Sequence, residues 1–239
     1  MNKLKSMLEY ELKTSIRTIA IYYAIFYAIY ALVFIILDAT LGKLEESNSS
    51  METNDAVFLI IFGFLGYRID FKMLIQNGFT RKQIFASGTL FFIFVAGVMS
   101  LIHTVVTGGL LKITGCHCSG FDLAYGDQNF ITKWIFIFMF YTVILFFSYF
   151  LAILLNRFDV GIRKYVMLAI LGVIILVTAI CNLLLSHEMI TKIVEFISKI
   201  LGFMDNGTIN FLYPYTSGLI IMALLEFVNY RMIRRSEIL

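Results

Sequence analysis

Three side chains with metal-binding chemistry stand in a row at Cys116, His117 and Cys118, inside the glycine-flanked motif GCHCSG. Thiolate and imidazole groups are the ligands that zinc and copper prefer in proteins. Adjacent residues do not easily supply tetrahedral geometry, however, and the sequence shows no evident fourth ligand. The motif leaves open a metal site, a strained or intermolecular disulfide, and ordinary loop cysteines, and we expect the last of these.

Two ionisable residues, His103 and Glu226, are embedded in long apolar runs. His103, in SLIHTVV, could be a proton or ligand site, but a single histidine that is hydrogen-bonded inside a helical bundle is the more common arrangement. Glu226 lies within about two helical turns of the basic cluster at Arg231, Arg234 and Arg235, so we expect it to snorkel or pair there. Intramembrane catalysis needs paired carboxylates, a histidine cluster or a Ser/Lys arrangement, and we predict no catalytic residue in this chain.

The elements that hold these residues are strongly apolar. The 239-residue chain is 60% hydrophobic and only 15% charged, whereas soluble domains carry about a quarter charged residues. Its apolar blocks are about 20 residues long, the length of a membrane-spanning helix, and they lack the alternation of a barrel. The sequence therefore predicts an all-α membrane protein, one domain over residues 1–239, with six transmembrane helices at approximately 18–37, 56–69, 84–112, 133–155, 165–186 and 211–230.

The orientation follows from the positions of Lys and Arg. Fourteen of these residues fall in the termini and the segments after the second and fourth spans, and five fall on the other side. This bias predicts that both termini and the segment from Tyr67 to Gly88 are cytoplasmic. The net charge of +3 is then a signal of topology and does not indicate a nucleic-acid partner.

Two segments beside the spans have amphipathic patterns. Residues 1–17 predict an N-terminal interfacial helix on the cytoplasmic membrane surface, either as a plain anchor or also as a contact for a cytoplasmic partner. The segment SHEMITKIVEFISKILG places Ile190, Ile193 and Ile197 at helical spacing and predicts an outer amphipathic helix between the fifth and sixth spans. Pro214, in the sequence YPY, is expected to lie in the first turn of the last span.

The polar segment from Tyr67 to Gly88 has its own start and stop signals. Asp70 is placed to cap a short helix with Phe71, Leu74 and Ile75 on one face, and Gly78 is the expected C-terminal stop. We expect this helix to lie across the bilayer normal. Its apolar face would rest on the membrane or in a groove of another protein, and the sequence leaves both open.

A second helix is predicted to begin immediately afterwards. Thr80 and Gln83 fit the S/T-x-x-E/Q capping box, and Phe79 and Ile84 occupy the two positions of a hydrophobic staple. The polar stretch is therefore predicted to be a helix, a glycine hinge and a capped helix start.

This architecture, with DFKMLIQNGFTRKQIF before the third span, resembles the type 2 permeases of ATP-binding-cassette (ABC) transporters. It is similar to the small bacterial permease subunits associated with export of, or immunity to, antimicrobial peptides and peptide toxins. The resemblance implies that the segment is a coupling helix that docks into a separate ATPase, with Gly78 as its hinge, and that Arg81 and Lys82 pair with acidic groups or lipid head groups. The implied docking residues are Asp70, Phe71, Lys72, Met73, Leu74, Ile75, Gln76 and Asn77.

The resemblance also implies the partners and the activity. The chain contains no G-x-x-x-x-G-K-[ST] motif, so we predict no cofactor and no enzymatic activity in it, with ATP and Mg²⁺ held by a partner ATPase. The implied assembly is a multi-pass subunit of the bacterial plasma membrane, with membrane lipid around it and a second, identical or similar permease. It would export a hydrophobic or amphipathic peptide or lipid-like molecule. The alternatives are a substrate-capture subunit of an importer and a sensor or immunity protein that sequesters a toxin.

Overall fold

A computed structural model describes residues 3–41, 50–114, 119–158, 161–169, 172, 176, 187–204 and 206–234. The described helices are α1 (Lys3–Leu41), α2 (Met51–Gln76), α3 (Arg81–Thr114), α4 (Gly120–Tyr125), α5 (Phe130–Asn156), α6 (residues 161–169), α7 (His187–Ile200) and α8 (Leu212–Arg234). Among the described residues the only β pairing is an isolated bridge between Phe203 and Ile209. The predicted all-α class is therefore confirmed over this part of the chain.

Helix α5 is the centre of the bundle and packs against α2, α3 and α8. From Trp134 to Asn156 it contains no charged residue, which allows its different faces to be covered by apolar neighbours. At Gly63 the α2 backbone comes so close to α5 that an added Cβ would lie 2.8 Å from the Cβ of Ser148. The bundle has two ends, which we call the Glu52 end, where α2, α5 and α8 begin, and the Gly78 end, where they finish.

Four described helical segments are long and apolar enough to cross a membrane: Glu11–Val33, Arg81–Leu110, Phe130–Asn156 and Leu212–Arg234. They correspond to the first, third, fourth and sixth predicted spans. The second predicted span, 56–69, forms part of α2, which is not among the four. Most of the fifth, 165–186, lies outside the described residues. The fold is thus that of a helical membrane protein with four candidate spans in its described part.

The predicted interfacial N-terminal helix is not a separate element. Helix α1 runs without interruption for 39 residues, because no glycine or proline breaks it. Its buried residues repeat every four positions at Glu11, Ser15, Ile19 and Tyr23. Glu11 accepts a hydrogen bond from the Ser87 hydroxyl on α3 at 2.8 Å. The prediction of a separate interfacial helix was wrong, because the segment continues into α1 and its Glu11 side chain is bonded to α3.

The predicted short helix capped by Asp70 is also incorrect. Helix α2 continues from Met51 to Gln76, so Asp70 lies inside a helix and not at its start. A local N-cap preference does not interrupt a helix whose backbone hydrogen bonds already continue on both sides. The segment predicted to be a separate coupling helix therefore forms the last turns of a long helix.

The predicted stop and start around Gly78 are confirmed. Gly78 has a φ of 75°, and its amide and that of Phe79 donate to the carbonyls of Ile75 and Leu74 at 2.9 and 3.1 Å, which is a Schellman motif. The Thr80 amide donates to Gln83 Oε1 at 3.0 Å, and the Gln83 amide donates to Thr80 Oγ1 at 3.3 Å. These reciprocal bonds form the capping box that starts α3.

We expect Thr80→Ala to lower the free energy of unfolding by about 1 kcal/mol, because the Gln83 amide loses its acceptor. Reversible unfolding in mixed detergent micelles, followed by circular dichroism, measures this change. Thr18→Ala is the matched control, since the exposed Thr18 hydroxyl donates only to the Thr14 carbonyl of its own helix. Equal effects of the two substitutions would contradict the capping role.

The last helix begins as predicted. The Leu212 amide donates to Asn210 Oδ1 at 3.0 Å, and Pro214 lies in the first turn of α8. Tyr215 donates its hydroxyl to the Thr132 carbonyl at 3.1 Å, which joins α8 to the start of α5. The predicted amphipathic helix before it is α7, whose apolar residues such as Phe196 remain exposed.

Candidate functional site: a buried cluster of carboxylates and histidine

The structure divides the predicted docking residues into two groups. Gln76, Asn77, Gly78 and Lys82 are exposed around the α2–α3 turn, and Ile75 is half-buried. The side chains of Asp70, Phe71, Lys72 and Met73 lie outside the described residues.

Leu74 and Arg81 have intramolecular roles. Leu74 is only 4% exposed and belongs to the hydrophobic core with Ile84, so its assignment as a docking residue is corrected. Arg81 donates from its guanidinium to the Arg234 carbonyl at the end of α8, at 2.9 Å. Among the described side chains of this segment, the exposed ones therefore belong to the turn, whereas Leu74 of the predicted apolar face is buried.

The other candidate residues also have different surroundings from those expected. Cys116, His117 and Cys118 lie outside the described residues. Glu226 accepts a hydrogen bond from the Thr89 hydroxyl at 2.9 Å, and no ion pair with the described Arg231 or Arg234 replaces it. Of the two arrangements expected for Glu226, snorkelling and pairing, the pairing is therefore not found with the described arginines, and α3 supplies the polar partner instead.

His103 lies in a cluster of buried polar side chains near the Glu52 end of the bundle, which we call the Asp55 cluster. It gathers residues from α1, α2, α3 and α5 and from the N-cap of α4: Tyr22, Glu52, Asp55, His103, Ser119 and Tyr141. Asp55 and His103 are each 1% exposed, and Tyr141 is fully buried. Both carboxylates of α2 point into the bundle, because residues three and four positions apart lie on the same face of a helix. That face consists of Glu52, Asp55, Leu59 and Gly63.

Asp55 is the acceptor at the centre of this cluster. Its Oδ2 accepts from the Tyr141 hydroxyl at 2.6 Å and lies 3.0 Å from His103 Nδ1, and its Oδ1 accepts from the Tyr22 hydroxyl at 2.8 Å. One carboxylate thereby joins α1, α2, α3 and α5. Loss of this single group would leave donors on three helices without their acceptor.

Glu52 holds the start of the short helix α4. Its Oε1 accepts from the Ser119 hydroxyl at 2.5 Å, and its Oε2 accepts from the Gly120 amide at 2.9 Å. Burial alone would raise the pKa of this carboxyl, but the contact with His103 and the bonds from Ser119 and Gly120 hold its pKa well below the ordinary value. Glu52 is therefore an ionised acceptor.

His103 stands between the two carboxylates. Its Nδ1 faces Asp55, whereas its Nε2 lies 3.4 Å from Glu52 Oε1. Nε2 is buried, and this ionic contact is its polar contact among the described residues, since it makes no hydrogen bond there. At 3.4 Å this contact is longer than an ordinary hydrogen bond, so Nε2 is the least well satisfied polar atom of His103.

A second buried charge pair lies close by, where α4 leads into α5. The Lys133 ammonium donates to Asp122 Oδ2 at 2.5 Å, and both residues are 6% exposed. They line a cavity of about 1010 Å³ together with Gly108 and Gly109 of α3 and the polar residues before α5. Glycines at these positions leave open space on the α3 side, since an added Cβ would meet no atom within 4 Å.

The second predicted span begins at residue 56 and so leaves out Glu52 and Asp55, and their partnership with His103 was missed. The signal that could have found them is their helical spacing with Leu59 and Gly63, which continues the apolar face of the second span. Asp122 likewise lies between the predicted spans 84–112 and 133–155. Its pairing with Lys133 depends on the turn between two helices and is not visible in a periodic pattern.

Chemically, the Asp55 cluster can join five helices and can hold a positive charge. Among the described residues no three His, Cys, Asp or Glu side chains converge as metal ligands. Comparison of the chain with protein-family models, with curated proteins and with solved structures found no match.

Proposed function

We propose that this chain is the membrane-spanning subunit of an ATP-driven exporter in a bacterial plasma membrane. It works with a second, identical or similar permease and with cytoplasmic ABC ATPase subunits that hold ATP and Mg²⁺. The bias of Lys and Arg supports six spans with both termini and the Gly78 end in the cytoplasm. The proposed cargo is a hydrophobic or amphipathic peptide or a lipid-like molecule.

The observation that carries this proposal is the construction of the α2–α3 turn. A Schellman motif ends α2 and a capping box starts α3, so the exposed residues between them are held at both sides. Such a turn transmits force better than a flexible loop, because few backbone dihedrals are free to absorb it. A soluble partner can contact Gln76, Asn77 and Lys82 there.

Displacement of this turn would reach most of the bundle. Helices α2 and α3 both pack against the central α5. Arg81 at the start of α3 donates to the Arg234 carbonyl of α8, and Arg157 after α5 donates to the Met232 carbonyl at 3.1 Å. ATPase closure would therefore move α2, α3, α5 and α8 at the Gly78 end together and open a path between protomers.

We expect Lys82→Glu to lower permease-stimulated ATP hydrolysis at least tenfold, because the exposed Lys82 ammonium faces the acidic groups of the proposed partner. The measurement uses the full chain in nanodiscs with co-expressed candidate ABC ATPases. Lys192→Glu is the matched control, since Lys192 is an exposed lysine on α7, away from the turn. If both variants bound the ATPase as the wild type does and stimulated its ATP hydrolysis equally, docking at this turn would be disproved.

A binding module without transport is the second candidate, and the cavity beside Asp122 and Lys133 favours it. A capture or immunity protein needs a ligand site and no ATPase, and a cavity of about 1010 Å³ holds a small amphipathic molecule. Protection of cells from a membrane-active peptide by the full chain, in a strain that lacks the candidate ATPases, would favour this function. Protection that requires ATP hydrolysis would favour the exporter.

A further inference from the structure

The carboxyl of Glu226 in α8 is an ionisable group that the proposed transport mechanism does not use. Glu226 is half-buried and lies in the candidate span Leu212–Arg234, eight residues before its last residue. Eight residues correspond to about 12 Å along a helix, so this carboxyl is well inside the span. Because side chains tilt toward the N-terminus of their helix, its Cα–Cβ bond points away from the nearer Gly78 end.

The polar contact of Glu226 is a hydrogen bond and not an ion pair. The Thr89 hydroxyl of α3 donates to Glu226 Oε2 at 2.9 Å. The ion pairs among the described residues belong to other side chains. The described arginine closest to Glu226 along α8 is Arg231, whose guanidinium lies over the Phe227 ring at 5.2 Å from its centroid. The carboxyl therefore has a neutral partner.

None of the described helices packed against α8, which are α3, α5 and α7, brings a charged side chain to this level. Helix α5 has no charged residue from Trp134 to Asn156, and its titratable side chains there are Tyr141 and Tyr149. On α3 the charged residue nearest to Thr89 is Lys82, about two turns closer to the Gly78 end. The titratable residues of α7 precede the start of α8, at the Glu52 end: His187, Glu188, Lys192, Glu195 and Lys199.

One turn further along α8 lies a buried acceptor that needs a donor. Asn229 is 0% exposed, and its Nδ2 donates to the Phe146 carbonyl of α5 at 3.1 Å. Its Oδ1 is buried and has no hydrogen-bond partner among the described residues. Residues three apart are neighbours on one face of a helix, with Cβ atoms about 5–6 Å apart, so the Glu226 carboxyl is within reach of Asn229.

A proton on Glu226 explains both observations. An ionised carboxyl without a cation is costly inside a membrane, whereas a neutral carboxylic acid is much less so. The neutral acid also has an O–H donor, which the ionised form lacks. This donor can satisfy Asn229 Oδ1 while Glu226 Oε2 continues to accept from Thr89.

We infer that Glu226 is a proton-binding site within the membrane, in which the protonated carboxyl joins Thr89 of α3 to Asn229 of α8. The ligand is one proton, and Thr89 and Asn229 are positioning residues. Because α3 begins directly after the α2–α3 turn, a movement of α3 against α8 would separate Thr89 from the carboxyl and change its affinity for the proton. The site itself does not depend on an ATPase partner.

The test is labelling of the purified full-length chain in nanodiscs with dicyclohexylcarbodiimide, a hydrophobic reagent for protonated carboxyl groups. The acid proton moves to a nitrogen of the reagent and the carboxyl oxygen bonds to its central carbon. The adduct then rearranges to a stable N-acylurea, and no group leaves. Peptide mass spectrometry at neutral pH should find at least about tenfold more label on Glu226 than on the exposed Glu195 of α7, because water-exposed carboxyls are ionised at that pH.

The pH profile of labelling tests the two positioning residues. Asn229→Ala removes the acceptor of the protonated form, so the midpoint of labelling should fall by about one pH unit. Thr89→Val removes a donor that favours the ionised form, so the midpoint should rise by about the same amount. Shifts in the same direction would contradict these roles, because a general loosening of the packing would act alike in both variants.

Two results on the wild type would overturn the site, and neither depends on the folding of a variant. The first is the absence of the hydrophobic label from Glu226 at neutral pH. The second is stronger labelling of Glu226 by a water-soluble carbodiimide than by the hydrophobic one, which would place the carboxyl in water.

Discussion

Asp55→Ala is expected to lower the free energy of unfolding by about 3–5 kcal/mol, the range for removal of one partner from a buried charged pair. The substitution leaves Tyr141, Tyr22 and His103 without the acceptor that all three share. These donors belong to three different helices, so the loss weakens the packing of the bundle at the Glu52 end. Equilibrium unfolding of the full chain in mixed detergent micelles measures the change.

Two substitutions of the same residue type give the controls. Asp55→Asn retains one carbonyl acceptor and should cost less than Asp55→Ala, since fewer donors are left unsatisfied. Asp127→Ala removes an exposed aspartate at the Glu52 end of the bundle. Surface substitutions usually change the free energy of unfolding by no more than about 0.5 kcal/mol. If Asp55→Ala also remained within this limit, the carboxylate would not be the structural centre of the cluster.

The start of α3 shows what local sequence signals can predict. The capping box joins Thr80 to Gln83, three residues later, and Gly78 ends the preceding helix. The structure contains the predicted hydrogen bonds of the capping box and the positive φ at Gly78. Such signals depend on backbone groups that no other part of the chain can satisfy. Element boundaries with this chemistry can therefore be read directly from the sequence.

The segment at Asp70 shows where the same reasoning fails. A residue that favours an N-cap is compatible with a helix interior when packing on both sides favours continuation. Helix α2 is held against α5 at Gly63 and against the core at Leu74, on either side of Asp70. The tertiary contacts therefore decide whether a helix breaks, and they cannot be read from the local pattern.

The candidate site was predictable only in part for a related reason. His103 was expected to be hydrogen-bonded inside the bundle, and the structure confirms this at Nδ1. Its partners Asp55 and Glu52 both belong to α2, 48 and 51 residues earlier in the chain, and their pairing with His103 depends on how α2 and α3 face each other. Sequence periodicity gives the inward face of each helix but not the register between two helices.

The second large effect is expected at the buried pair of Lys133 and Asp122. Lys133→Met should cost about 3–5 kcal/mol, because it leaves the Asp122 carboxylate buried and uncompensated. The double variant Lys133→Met/Asp122→Leu should recover most of this loss, since replacement of both charges by apolar groups is often nearly neutral. The same unfolding measurement on the wild type, two single variants and the double variant completes the thermodynamic cycle.

A cycle on Glu195 and Lys199 of α7 provides the comparison, because both are exposed and lie four residues apart on one helix. Exposed pairs at this spacing contribute about 0.2–0.5 kcal/mol. A coupling energy between Lys133 and Asp122 several times larger would establish that burial, and not simply proximity, determines their contribution. A coupling energy between Lys133 and Asp122 as small as that of the surface pair would mean that water reaches them through the adjoining cavity. Lys133 and Asp122 would then form part of the cavity wall and not of the buried core.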